Sequence, residues 1–432
     1  MQKYPAYKDS TAPWFGDVPE SWDMIRLGAI LRERGEKNNG TKTENVLSVL
    51  KDIGVINYED KGDIGNKKSE DIERYKIVHE GDLVLNSMNV IIGSVGMSPE
   101  YGALSPVYYV LRAADESVYM PYYDYVFKIR PFQDSLKRIG YGILDHRMRI
   151  PMTLLKKEPL PKPPLEEQKA IVAYLDEQTA VIHQFLTNKR RLIALLEEQK
   201  QVVINTAVTQ GLETAVARKP SGIDWLGDIP THWESKPIKR VAAILRGKFS
   251  HRPRNDPRMY DGKYPFIQTG NIESNKKYIT EYHQTLSEDG YTISKEFPKG
   301  TLVMTITGSN TGNVAILNFV ACFPDSIVGF VPTKDVDLDF LYYLFIAMKE
   351  ELILTAPVNT QPNLNIEKIG ALHAPFPSKE EQSKIVRYIE QKIIEINAAI
   401  ERTQREIELI EEYRTTLIAH AVTGKIDVRS VV

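Results

Sequence analysis

The chain has 432 residues, 42% apolar and 26% charged, with 55 basic and 57 acidic side chains for a formal charge of −2. These proportions exclude a disordered or collagen-like chain, and no apolar run reaches the ~18 residues that cross a bilayer. A single cysteine, Cys322, excludes an intrachain disulfide or cysteine-based zinc site and fits a reducing cytoplasm. In chain order, residues 1–23 form an N-terminal segment without a signal-peptide pattern. Residues 24–161 are mixed, with β-like runs at Asp82–Leu85, Val90–Val95 and Val107–Leu111. Residues 162–211 carry one long helical pattern behind Pro161-Lys162-Pro163-Pro164. Residues 212–237 repeat the N-terminal segment. Residues 238–377 are mixed again, with β-like Thr301–Ile306, Asn313–Leu317 and Ser326–Val331; the apolar run Ala315–Phe323 suits one buried strand. Residues 378–432 carry a second long helical pattern.

The chain is duplicated. Trp14-Phe15-Gly16-Asp17-Val18-Pro19 with Trp22 recurs as Trp225-Leu226-Gly227-Asp228-Ile229-Pro230 with Trp233. Glu166-Glu167-Gln168 recurs as Glu380-Glu381-Gln382, and Ala207-Val208-Thr209 as Ala421-Val422-Thr423. Two like modules related by a pseudo-twofold suit a ligand with two sites on one axis, of which DNA is the commonest. Near-neutral charge is unusual for a chain that grips phosphate unaided. Either nucleic acid is not the ligand, or basic residues are locally concentrated and partners supply the rest.

Both helical blocks are punctuated as helices. Ser378 with Glu381 is a capping-box signature, acidic residues fill both first turns, and Gly211 and Gly424 are natural stops. Their heptads predict a coiled coil. Leu175, Ile182, Lys189, Leu196 and Val203 form one series, interleaved with Ile171, Gln178, Phe185, Leu192 and Gln199. In the second helix Ile396, Thr403, Ile410 and Leu417 form one series, interleaved with Ile393, Ile400, Ile407, Arg414 and Ala421. Lys189 and Thr403 are equivalent polar seam positions that either fix register or reach solvent. Each helix, at about 45 residues, is roughly 65 Å long, and an antiparallel pair of them would hold two mixed modules apart. The fold class expected is α+β.

Catalytic signatures are few. There is no phosphate-binding Gly-x-x-x-x-Gly-Lys-Ser/Thr loop, no His-Glu-x-x-His and no Asn-Pro-Pro-Tyr loop. Pro324-Asp325 with Glu390-Gln391-Lys392 meets a nuclease pattern only formally, because Glu390 falls on the coiled coil. The eight histidines show no metal-ligand spacing.

The mixed blocks instead offer readout chemistry. Arg246, Lys248, His251, Arg252, Arg254 and Arg258 crowd a proline-containing loop opposed mainly by Asp256. This is either a guanine- and phosphate-binding loop or a solvated charge run. Gln268-Thr269-Gly270-Asn271 matches an adenine edge in residue type. Ser309, Asn310, Thr311 and Asn313 form a third group, and Asn359, Thr360, Gln361, Asn363 and Asn365 a fourth. The first block differs: Lys51 and Asn57, then Asn86, Ser87 and Asn89, then His146, Arg147 and Arg149. Shared framework with divergent loops predicts two modules reading two different sequences.

Taken together, the duplicated Trp segment, the proline-led Glu-Glu-Gln, the helix ending in Ala-Val-Thr, and Gln268–Ile272 with Gln361–Leu364 resemble the DNA-specificity subunit of type I restriction–modification systems. The resemblance spans essentially the whole chain. It implies two target-recognition domains reading the halves of a bipartite, asymmetric double-stranded DNA site, with the helices as ruler and as dock for two methyltransferase subunits. It also implies restriction–translocase subunits as partners, S-adenosylmethionine, ATP and Mg on those partners rather than on this chain, and no active site here. The competing reading is a duplicated coiled-coil scaffold for protein partners; a single-chain nuclease is a third.

Overall fold

The computed structural model describes residues 2–12, 14–64, 67–142, 148–251, 255–356 and 363–429. They divide into two compact units, one of Met1–Lys189 with Arg405–Val432, the other of Arg190–Gln404. Each long helix, Leu165–Gln210 and Lys379–Val422, contributes to both.

The first unit is built on an antiparallel sheet in the order Leu31–Glu33, Tyr108–Ala113, Leu83–Asn86, Val95–Met97. A hairpin of Leu47–Leu50 and Gly54–Asn57 lies beside Val95–Met97, close enough that a Cβ on Gly96 would sit 2.7 Å from the Gly54 Cα. Expected strand Val90–Val95 is instead a 3-10 turn, Val90–Ile92, stopped by Gly93 at φ +92°. A left-handed residue cannot continue a strand, so pairing resumes only at Val95.

The second unit has a five-stranded sheet in the order Ala242–Arg246, Ile327–Pro332, Leu302–Thr305, Val314–Leu317, Tyr278–Ile279. Its central strands read as continuous apolar runs because both faces are covered. Leu302, Met304, Val314 and Ile316 face the core of Phe340, Leu341 and Phe345. Val303, Ala315 and Leu317 face Phe297 and Phe323, whose rings stack with centroids 3.8 Å apart. Gly329 leaves room for that pair, since a Cβ there would lie 3.2 Å from Phe323. A smaller sheet, Gln284–Leu286, Tyr260–Phe266, Ala321–Cys322 and Glu296–Phe297, adds a second lobe. The run Ala315–Phe323 therefore divides between two sheets, and Val320 at the bend is 43% exposed.

The long helices form an antiparallel coiled coil. In the second helix Ile396, Thr403 and Leu417 are buried and Ile410 is half-buried. In the first, Leu175 and Ile182 are buried, and Lys189, Leu196 and Val203 are half-buried. The interleaved series of the first helix is corrected by one residue. Phe185 and Leu192 are exposed (36% and 38%), whereas Leu186 is buried at 2% and Ile193 half-buried. Both registers alternate three and four, so periodicity alone does not choose between them. Lys189 keeps its charge at the seam by reaching Glu406 at 2.6 Å, and the Thr403 hydroxyl donates to its own helix at Ala399 O, 2.8 Å.

The repeated residues make the same bonds in both units. The buried indole of Trp22 donates to Glu167 Oε1 at 2.9 Å, and that of Trp233 to Glu381 Oε1 at 3.0 Å. Gln168 donates to Pro163 O at 2.8 Å and accepts from Tyr119 N at 2.8 Å; Gln382 donates to Pro377 O at 2.9 Å and accepts from Asp337 N at 2.8 Å. Glu381 thus completes only half of the expected capping box. Its backbone N–H bonds the Ser378 hydroxyl at 3.3 Å, while its carboxylate serves Trp233 and His232. Glu167 also accepts from the Tyr4 hydroxyl, whose pKa burial and this carboxylate push well above its ordinary value.

The helix stops close against the same indoles. Gly211 and Gly424 adopt φ +76° and +68°, and a Cβ would lie 3.1 Å from Trp233 and 3.2 Å from Trp22 respectively. At Gly424 it would also lie 2.4 Å from the Pro19 Cδ, whereas at Gly16, with φ +73°, nothing lies within 4 Å. Gly16→Ala is expected to cost about 1 kcal/mol, from backbone strain alone. Gly424→Ala should cost roughly 2 kcal/mol more, from overpacking. Urea unfolding of the two variants checks this; equal midpoints would show that the Trp22 pocket yields freely.

Candidate nucleic-acid interface

Register brings the second-half groups to one end of the five-stranded sheet. Arg246 pairs with Val328, Met304 with Val328 and Val314, and Thr305 with Ile327. The last residue of one strand and the connection 306–313 therefore share an edge. Asn363 joins them by bridging Thr307, and Leu364 N donates to Ile306 O at 2.9 Å. The turn at Thr269–Asn271 is clipped on from the side: Asn310 Nδ2 donates to Thr269 O at 3.3 Å and Asn313 Nδ2 to Ile272 O at 3.2 Å.

The amides mostly build these loops. Gln268 and Asn271 form a reciprocal capping box, with Asn271 Oδ1 accepting from Gln268 N at 2.9 Å. Gln268 Nε2 is taken by Gln284. Asn313 Oδ1 accepts from Lys349 Nζ at 2.8 Å. Thr311 is buried, with its hydroxyl donating to Gly308 O at 2.6 Å, so it is withdrawn from the surface. Ser309 touches the Asn310 side chain at 3.5 Å. Arg246 and Lys248 are exposed. Asp256 accepts the Arg258 fork and His251 Nε2 at 2.8 Å, bracketing the basic loop; the Arg258 guanidinium and backbone N–H hold its carboxyl well below the usual range. Arg252, Arg254, Asn359, Thr360 and Gln361 lie outside the described residues, as do His146 and Arg147.

The first unit presents a related end. Ile150 N donates to Ser87 O at 2.9 Å, Tyr141 and Arg149 bridge, and exposed Arg149 occupies the position of Asn363. The hairpin tip with Lys51 adjoins it: a Cβ on Gly93 would lie 3.4 Å from Asp52 Oδ1. Asn86 Oδ1 accepts from Met88 N at 3.1 Å, and Asn89 precedes the 3-10 turn. Two of the expected groups lie beneath the surface or away from this end. The Ser87 side chain is buried at 3% exposure. Asn57 sits at the opposite end of the hairpin from Lys51, capping Glu59 N at 3.1 Å and donating to Asn45 at 3.0 Å.

Three features escaped the sequence reading. The Tyr264 and Tyr291 rings stack at 3.9 Å. Lys349 braces Asn313. Lys277 reaches Asp339 at 2.8 Å and Glu390 at 2.5 Å over the rings of Tyr342 and Tyr343. Glu390 is thus committed to a lysine rather than to the formal nuclease pattern. Among the described residues no group of three His, Cys, Asp or Glu side chains could hold a metal ion, and no helix is long and apolar enough to cross a membrane.

Each unit is thus an α+β frame with loops gathered at one sheet end and a stretch of each long helix packed on it. Residues 230–409 match the family described as type I restriction modification DNA specificity domain. Two proteins of Methanocaldococcus jannaschii align along the chain. The putative type I restriction enzyme MjaX specificity subunit is 25% identical over 96% of each chain. The type I restriction enzyme MjaVIII specificity subunit is 22% identical over 96% of this chain and 95% of its own. Among solved structures, a chain from a study of assembly and conformational transition in the type I R-M system superposes with TM-score 0.72 at 15% identity, covering 95% of this chain and 99% of its own. The HsdS subunit from Thermoanaerobacter tengcongensis gives TM-score 0.57 at 15% identity, covering 95% and 98%. Along nearly its whole length the chain is similar to DNA-specificity subunits of type I restriction–modification systems, and residues 230–409 match that family's DNA specificity domain. These similarities favour sequence-specific DNA recognition over the scaffold alternative.

Asn313→Ala removes one of the two ties of the 268–272 turn, the bond to Ile272 O. Amide exchange at Ile272 should rise roughly tenfold, the loss of about one net hydrogen bond. Lys349→Met should reproduce part of the effect. Unchanged exchange in both variants would mean that the turn is held by its own capping box.

Proposed function

We propose that each unit reads one half of a bipartite, asymmetric double-stranded DNA site, and that the chain docks two methyltransferase subunits, with restriction–translocase subunits completing the assembly. The observation that carries this reading is the divergence of equivalent sheet ends. Continuing the strand register two residues past Glu33, Arg246 corresponds to Gly35, and the equivalent bonds of Leu364 N to Ile306 O and Ile150 N to Ser87 O make Asn363 correspond to Arg149. One frame with different side chains calls for two different half-sites. S-adenosylmethionine, ATP and Mg then belong to the partner subunits, and the complex acts in the cytoplasm, where the thiol of Cys322 stays reduced.

Docking is supported by exposed apolar side chains on the first long helix. Val181, Phe185, Leu192, Leu195 and Val202 are 63%, 36%, 38%, 51% and 54% exposed. Their spacings of three, four and seven suit a partner helix. Leu192→Asp with Leu195→Asp should abolish co-purification of the methyltransferase subunit while salt-sensitive DNA binding by the chain persists. Retention of the partner would place its dock elsewhere.

The direct test is a map of N6-methyladenine in the host with and without the gene. A two-part, asymmetric motif that vanishes on deletion is the expected outcome. Methylation unchanged by deletion, in a host expressing the partner subunits, would refute the reading.

A further inference from the structure

Gln268 and Asn313 commit both ends of their amides to loop architecture, Asn271 its oxygen and Asn310 its nitrogen, so base reading in the second unit needs further side chains. The geometry points to Arg246 as the guanine-reading residue of that half-site, an assignment that rests on the second unit being a half-site reader. Arg246 ends the strand Ala242–Arg246, so its backbone is held by the sheet rather than by a loop. Its Nε donates to Asp325 O at 3.2 Å, which orients the guanidinium plane. Among the described residues its two Nη groups have no hydrogen-bond partner. Arg246 borders an open cavity of ≈ 610 Å³ lined also by Asn363, Asn365, Glu367 and Lys368.

The polarity of that cavity selects the base. Asn365 Oδ1 is consumed by Glu367 N at 2.7 Å and Lys368 N at 3.3 Å. Lys368 Nζ bonds Thr355 O at 2.9 Å and leaves positive charge at the wall. A guanidinium beside an ammonium favours an edge that only accepts, namely guanine O6 and N7; the adenine N6 amino group would oppose both cations. Glu367 is the carboxylate on the rim, and it suits the N4 amino group of the paired cytosine. The corresponding position in the first unit is Gly35, which has no side chain to read with, so the preference belongs to one half-site only.

The test expresses wild type, Arg246→Ala and Arg246→Lys with their partner subunits and maps methylated motifs. Wild type should show a fixed G·C pair in one half-site. Arg246→Ala should accept any base at that position, with discrimination falling roughly 10- to 100-fold. The other half-site should stay fixed, which also reports intact folding. Lysine should not restore the preference, because a point charge cannot bond two acceptors at once. An unchanged motif overturns the assignment. So does equal weakening at all bases with the salt slope reduced by about one, the signature of a phosphate contact. A wild-type methylome lacking any two-part motif would instead remove the functional reading beneath it, and this assignment with it.

Discussion

The bond from a buried indole N–H to a first-turn carboxylate holds each unit together. Trp22 with Glu167, and Trp233 with Glu381, join the repeated segment to the start of a long helix. The stop of the other long helix in each unit, Gly424 or Gly211, packs against the same ring. A carboxylate there is favoured twice, by the helix dipole and by the indole donor it satisfies. The neighbouring glutamine closes the connection behind it. The Glu-Gln pair is therefore a joint rather than a site, and it explains why this short sequence is duplicated with so little change.

Around that joint the recognition ends are free to differ, because their shape is set by amides bonding backbone. Asn310 and Asn313 tie one turn to another through the carbonyls of Thr269 and Ile272. Lys349 anchors the second of these ties from a helix. Such clips fix loop geometry while leaving strand ends, such as Arg246, uncommitted.

The duplication, the helices and their stops were legible because each depends on local spacing and on residues whose physics is unambiguous, such as Gly424 at positive φ. The mixed strands were legible where apolar runs were interrupted by polar turns, as at Leu302–Thr305 and Val314–Leu317. Val90–Val95 and Ala315–Phe323 were misread because a left-handed glycine and a bend between sheets leave no periodic trace. The seam of the first helix slipped by one residue because Phe185 and Leu186 are equally apolar, and only the facing helix chooses between them. Among the described candidate groups, position at a sheet end follows from strand register, but the role of each side chain was not legible. Whether an Asn faces a base or a carbonyl is decided by contacts dozens of residues away.

The tie between loop architecture and spent amides has a consequence for how target preference changes over time. A position such as 246 can pass from Arg to a smaller residue without leaving a buried donor unpaired, because its Nη groups bond no described neighbour. Asn313 cannot, since its loss would loosen two loops together. On the proposed reading, drift should therefore accumulate at strand ends and alter the methylated sequence while the chain stays folded. A host could acquire a different self-marking code through very few substitutions, with the frame that presents it left intact.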